Sequence, residues 1–99
     1  SRSASLDGSS NYKYTSTLTA TNGTSGNIYL TNTGANTTTR GFGHREIDWW
    51  PDSTVASTNW INPGTSERRY FTQTKGHVYY GEISGQTISS RGSVTLTVN

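Results

Sequence analysis

Ninety-nine residues carrying a net charge of +2 suffice for one domain and are too few for two independent cores. The eight cations and six anions are scattered and form no basic stripe of the kind that holds nucleic acid; the densest cationic pair, Arg68-Arg69, has Glu67 beside it. With no cysteine there is neither a disulfide framework nor a thiolate metal site, and no apolar run approaches the ~20 residues of a membrane span.

Hydrophobic residues make up only 28% of the chain, a value that on its own leans toward disorder. Two features oppose that. Aromatic residues are 11% of the chain, and each buries a large area. Threonine, abundant throughout, is β-branched and suits a pleated, half-buried surface.

Residues 1–11 are polar, with Asp7-Gly8-Ser9-Ser10 reading as a turn, and are expected to form a flexible segment ahead of a single domain over 12–99. From Tyr12 to Thr21 the side chains alternate. Tyr12, Tyr14, Ser16, Leu18 and Ala20 fall on one side, and Lys13, Thr15, Thr17, Thr19 and Thr21 on the other. A strand sends successive side chains to opposite faces, so the first set is expected to face the core. Asn22-Gly23 then signals a tight hairpin, with a longer loop through Thr24-Ser25-Gly26 as the alternative. A second strand separates Ile28 and Leu30 from Tyr29 and Thr31, and Thr33-Gly34-Ala35-Asn36 is the next turn.

A third strand is expected over Thr37 to His44, where Gly41 and Gly43 flank Phe42 and suggest a bulge or a close backbone approach. The segment Glu46 to Ser53, with Trp49-Trp50-Pro51-Asp52, breaks the rhythm. A short strand from Val55 to Ile61 ends at the Asn62-Pro63-Gly64 turn. Arg69 to Thr74 and His77 to Ile83, around Lys75-Gly76, read as a second hairpin. The last strand alternates Val94, Leu96 and Val98 with Ser93, Thr95 and Thr97. About seven short strands without helical periodicity predict an all-β chain. The expected fold is a single small antiparallel β-sandwich, jelly-roll or Ig-like, with a small β-barrel as the alternative.

No catalytic constellation stands out. His44, Glu46 and Asp48 alternate and would share one face of an extended segment, as metal ligands can. The same pattern suits a charged edge strand that resists aggregation, and no metal or other cofactor is expected. No G-x-S-x-G elbow marks a nucleophile. The acids Glu46, Asp48, Asp52, Glu67 and Glu82 could supply a carboxylate pair, but a sandwich this small has little room for a glycosidase cleft. A non-enzymatic protein is the expectation.

The rings are more telling. Trp60, Phe71 and one of Tyr79 or Tyr80 are assigned to the core, because so few aliphatics are available to fill it. Trp49 and Trp50, ahead of Pro51, are then candidates for exposure. With Asp48, Asp52, Arg45 and Tyr80 they supply what a sugar needs, flat apolar faces beside fixed donors and acceptors. The expected ligand is a carbohydrate or another cell-surface or cell-wall component, with a protein target as a further possibility. The low charge and the Ser/Thr/Asn/Gly-rich, Tyr/Trp-rich pattern are those of exported domains, so an extracellular setting is expected.

Asn32-Thr33-Gly34, Trp60 and Tyr79-Tyr80-Gly81 loosely resemble small exported bacteriocins of the lactococcin type, which are cysteine-free β-sandwich proteins. That resemblance implies, as an alternative, a secreted antimicrobial or inhibitor. Arg68, Arg69 and Lys75 beside Tyr70 would then contact an anionic target.

Overall fold

Alternation of side chains along short strands builds two layers. The computed structural model describes all residues, 1–99, as nine β-strands without a helix. The strands are β1 (Arg2–Leu6), β2 (Tyr12–Tyr14), β3 (Leu18–Thr19), β4 (Ser25–Asn32), β5 (Thr39–Glu46), β6 (Ser53–Ser57), β7 (Ser66–Thr72), β8 (Val78–Gly85) and β9 (Gly92–Thr97). One sheet has the order β1-β9-β4-β7. The other has the order β2-β8-β5-β6, with β3 also lying along β8. All pairings are antiparallel. The chain is a β-sandwich wound as a jelly roll, since successive strands mostly cross from one sheet to the other.

The core lies between the sheets. Ile28 and Leu30 of β4 and Val94 and Leu96 of β9 are completely buried, facing Tyr79 and Ile83 of β8. Leu6, Ala20, Ile61 and Phe71 complete the buried apolar set. In β5 the glycines are inward. A Cβ on Gly43 would stand 3.3 Å from Ile28 Cγ2, and one on Gly41 3.4 Å from Leu30 Cβ. Their missing side chains let β5 settle onto β4, and the register of β5 against β6 shifts between Gly43 and His44.

Buried polar groups finish what the thin core begins. Thr15 Oγ1 accepts from Gly81 N at 2.8 Å, and Thr58 Oγ1 accepts from Gly41 N at 2.9 Å. Asn32 donates to Thr37 O and Ile61 O and accepts from Gly34 N. Gln73 Nε2 donates to Asn22 O and Asn99 O, while its Oε1 accepts from Asn99 N. Each satisfied group removes a desolvation penalty of ~1–3 kcal/mol.

Four expectations need correction. Residues 1–11 contain a strand, because Arg2–Leu6 pairs along β9 and buries Leu6. The alternating run from Tyr12 is two short strands whose faces differ. Tyr14 lies opposite Glu82, on the outer side, whereas Leu18 lies opposite buried Tyr79. The break at 15–17 turns the chain over, so Tyr12 and Tyr14 are exposed and Thr15 and Ala20 are buried.

Neither predicted hairpin exists. The turns at Asn22-Gly23 and Lys75-Gly76 join strands of opposite sheets, and only β5 and β6 pair as sequence neighbours. Trp60 is 49% exposed. The chain leaves β6 before it, a single bridge between Ile61 and Thr39 pins the next residue inward, and Trp60 therefore points out. Phe71 and Tyr79 are the buried rings, 5.1 Å apart.

Candidate functional site

The register of the second sheet gathers rings on its outer face. Tyr12 lies opposite Ser84, Tyr14 and Phe42 both opposite Glu82, and His44 opposite Tyr80. Because antiparallel partners share a face, these side chains form one band across β2, β8 and β5. Tyr12 meets Tyr14 edge-on at 5.7 Å, and Tyr14 meets Tyr80 edge-on at 5.8 Å. Tyr80 is 5.1 Å from the His44 ring, which stacks on Phe42 at 5.8 Å. The Arg40 guanidinium closes the row, 4.8 Å over the Phe42 ring. Such contacts add ~0.5–1.5 kcal/mol each beyond area burial and hold the rings in place.

A histidine–carboxylate hydrogen bond sits in the band. His44 Nε2 is 2.7 Å from Glu82 Oε1, with the two side chains 14% and 17% exposed. Ser84 Oγ donates to the other Glu82 oxygen at 3.2 Å, and Thr54 Oγ1 lies 3.2 Å from His44 Nδ1. Nε2 faces the Glu82 carboxylate, and Nδ1 lies within hydrogen-bond reach of the Thr54 hydroxyl. Both ring nitrogens are thus engaged and the imidazole is fixed.

At the edge of the band the 47–52 loop is tied down by one carboxylate. Tyr80 donates its hydroxyl to Asp52 Oδ2 at 2.5 Å, and the Ile47 amide donates to Asp52 Oδ1 at 3.1 Å. The Tyr80 bond, helped by the Ile47 amide, holds the Asp52 carboxyl below its ordinary 3.8. Burial, then the hydrogen bond to Asp52 and its charge, push the Tyr80 phenol well above its ordinary value. Trp49 and Trp50 stand at the tip of this anchored loop, 99% and 74% exposed. Trp49 has φ 68°, a left-handed conformation that costs a bulky residue ~1–3 kcal/mol. The loop is fixed while its largest side chains project into solvent.

The same loop borders a cleft of about 210 Å³ between the end of β5 and the turn before β8, lined by Arg45, Glu46, Ile47, Asp48, Gly76, His77 and Val78. Arg45 lies opposite Tyr79, so it starts toward the interior, and its Nε is shut away from solvent with no hydrogen-bond partner.

All six residues singled out from the sequence are in this region. Asp52 and Tyr80 are bonded, Arg45 and Asp48 share the cleft, and Trp49 and Trp50 form the tip between Asp48 and Asp52. His44 turns to Glu82, and no three His, Asp or Glu side chains converge as metal ligands. Sequence reasoning missed Tyr12, Tyr14, Phe42, His44 and Glu82 as a surface. The alternation of Arg40, Phe42 and His44 in β5, matched to Tyr80, Glu82 and Ser84 in β8, carried that signal. The cations Arg68 and Arg69 belong to the other sheet, where Arg68 covers Tyr29 at 4.7 Å and Arg69 pairs with Glu67 at 3.2 Å.

No protein-family model matches this chain, and no curated protein is significantly similar to it in sequence. Among solved structures, the crystal structure of Yersinia pseudotuberculosis-derived mitogen (YPM) is similar at 14% identity and a TM-score of 0.49, over 89% of this chain and 84% of the mitogen. The likeness is loose and says nothing about what this chain binds.

Proposed function

We propose that this chain is a secreted or cell-surface, non-enzymatic binding domain that recognises carbohydrate through the Trp49–Trp50 loop and the adjoining ring band. The observation that carries this reading is a pair of exposed indoles on a loop fastened at Asp52 to Tyr80 and Ile47. Exposing two indoles in a chain with so few apolar residues is unfavourable unless something covers them. A sugar stacks its CH faces on such rings, and its hydroxyls need donors and acceptors already in position. The anchored loop supplies both, and it loses little entropy on binding because it is ordered beforehand.

The test is tryptophan fluorescence titrated against neutral, acidic and amino glycans and cell-wall polysaccharides, backed by a glycan array. Quenching or a blue shift with at least one glycan, abolished in Trp49→Ala/Trp50→Ala while the β-sheet circular dichroism persists, is the expected result. Silence toward every glycan at millimolar concentration, with an empty array, would end this reading.

A further inference from the structure

The cleft beside the tryptophan loop holds three charged side chains without partners. The chain's close contacts between basic and acidic side chains are Lys13–Asp7, His44–Glu82 and Arg69–Glu67, so neither Arg45 nor Glu46 nor Asp48 lies within ion-pairing distance of an opposite charge. Arg45 Nε is in addition buried and unpaired. Arg45 as a whole is only partly buried, so its terminal nitrogens keep free donors that a visiting group in the cleft can take up. The cleft's composition limits what that group can be. A carboxylated or phosphorylated ligand would set its charge against Glu46 and Asp48, and a second cation would meet Arg45.

A neutral polyol meets neither conflict. Of two vicinal hydroxyls, one accepts from the guanidinium fork and the other donates to a carboxylate, and each can do both. The cleft is small, about 210 Å³, so it admits one ring and not a longer segment. Resting on the carbohydrate reading above, we infer that this cleft is a subsite for a single neutral sugar residue. Its vicinal hydroxyls lie between Arg45 and the carboxylates of Glu46 and Asp48, while the rest of the glycan runs over Trp50.

The experiment uses the tightest neutral oligosaccharide from the fluorescence panel and two relatives of identical linkage. One carries a uronic acid in place of each hexose, and the other has its vicinal hydroxyls methylated. Titration calorimetry on the full chain should show each relative binding at least tenfold more weakly than the parent. Arg45→Met should lose at least tenfold toward the parent, and Asp48→Asn, at an exposed position where folding is not at stake, severalfold.

Equal or tighter binding of the uronate overturns the neutral subsite while leaving carbohydrate recognition standing. So does wild-type affinity in Arg45→Met or in Asp48→Asn. If Arg45→Met does not fold, the wild-type ligand series and Asp48→Asn decide. No response to any glycan, with the indoles silent, overturns both readings together.

Discussion

The two outer faces of the sandwich obey the same alternation and carry opposite chemistry. On the β1-β9-β4-β7 sheet the register aligns Ser5, Ser93, Thr31 and Ser66 in one row and Ser3, Thr95, Tyr29 and Arg68 in the next. Several of these groups engage one another: Ser3 with Thr95 at 2.8 Å, Thr31 with Ser66 at 3.1 Å, and Arg68 over the Tyr29 ring. The other outer face carries rings, a histidine–glutamate pair and a loop that ends in two uncovered indoles. The hydroxyl face is largely paired within itself apart from Tyr70, exposed on its edge strand, whereas the ring face leaves two indoles and the cleft open. An unfinished set of contacts on an otherwise satisfied surface is the better guide to a site than polarity or ring count alone.

The harshest test removes the support beneath both faces. Phe71→Ala should cost ~3–5 kcal/mol, much of the ~5–10 kcal/mol a small domain possesses, and erase the two faces together in thermal unfolding. Trp60→Ala, at a half-exposed ring, should cost less than about 1 kcal/mol. Next in size is the functional contrast. Trp50→Ala should weaken glycan binding by more than tenfold, as loss of an aromatic anchor does, while Tyr29→Ala on the hydroxyl face leaves the titration unchanged. Equal losses from the two would dissolve the distinction between the faces.

A finer cut goes through the loop anchor. Tyr80→Phe deletes the donor to Asp52 and should lower Tm by a few degrees and raise the mobility of the indoles in fluorescence anisotropy. Tyr70→Phe, on the other sheet, should do neither. The same anchor gives a pH signature. Because the Asp52 carboxyl is held below 3.8 in the fold, its contribution is complete above 3.8 and disappears as pH falls through the lowered folded value. Indole mobility should therefore begin to rise only in that acid range, and onset near neutrality would exclude Asp52 as the tether.

At the alkaline end, the raised Tyr80 phenol keeps its proton past the ordinary tyrosine value of 10. Its stabilisation is complete below that pH and is lost as pH climbs through the higher folded value. Tyr80 should accordingly be missing from the first phase of a spectrophotometric titration, and Tyr80→Phe should leave that phase unchanged. The smallest effect belongs to Thr31→Val, which should stay within ~0.5 kcal/mol and confirm that the hydroxyl rows are passive.

Local alternation was enough to place Ile28, Leu30, Val94 and Leu96 in the core, and proline with a doubled indole was enough to place Trp49 and Trp50 outside. What local pattern cannot encode is which sheet a strand joins. Asn22-Gly23 and Lys75-Gly76 have the chemistry of tight turns whether the next strand folds back or crosses over, so hairpins were expected where the chain changes layers. Tyr12 and Tyr14 were misplaced for a related reason. The turn-over at 15–17 depends on Thr15 bonding Gly81 through its backbone amide and its hydroxyl, a partner far away in the sequence. Trp60 reads as a core ring because aliphatics are scarce, although its direction is set by the bridge of its neighbour Ile61 to Thr39. The ring band was hidden because it exists only when three strands from distant segments are aligned.

That β9 lies between β1 and β4 has a consequence for biosynthesis. During translation the segment after Gly92 leaves the ribosome later than every strand it must join, and Ser3 meets Thr95 across 92 positions. Until then one edge of β4 is bare, and Ile28 and Leu30 lack Leu96 and Val94 beside them. At about 5–20 residues per second the nascent chain waits for seconds in a half-built state, and non-local pairing of this kind is slow in itself. An intermediate so long exposed invites edge-to-edge aggregation. With hydrophobic residues only 28% of the chain, the waiting intermediate has little apolar surface to expose.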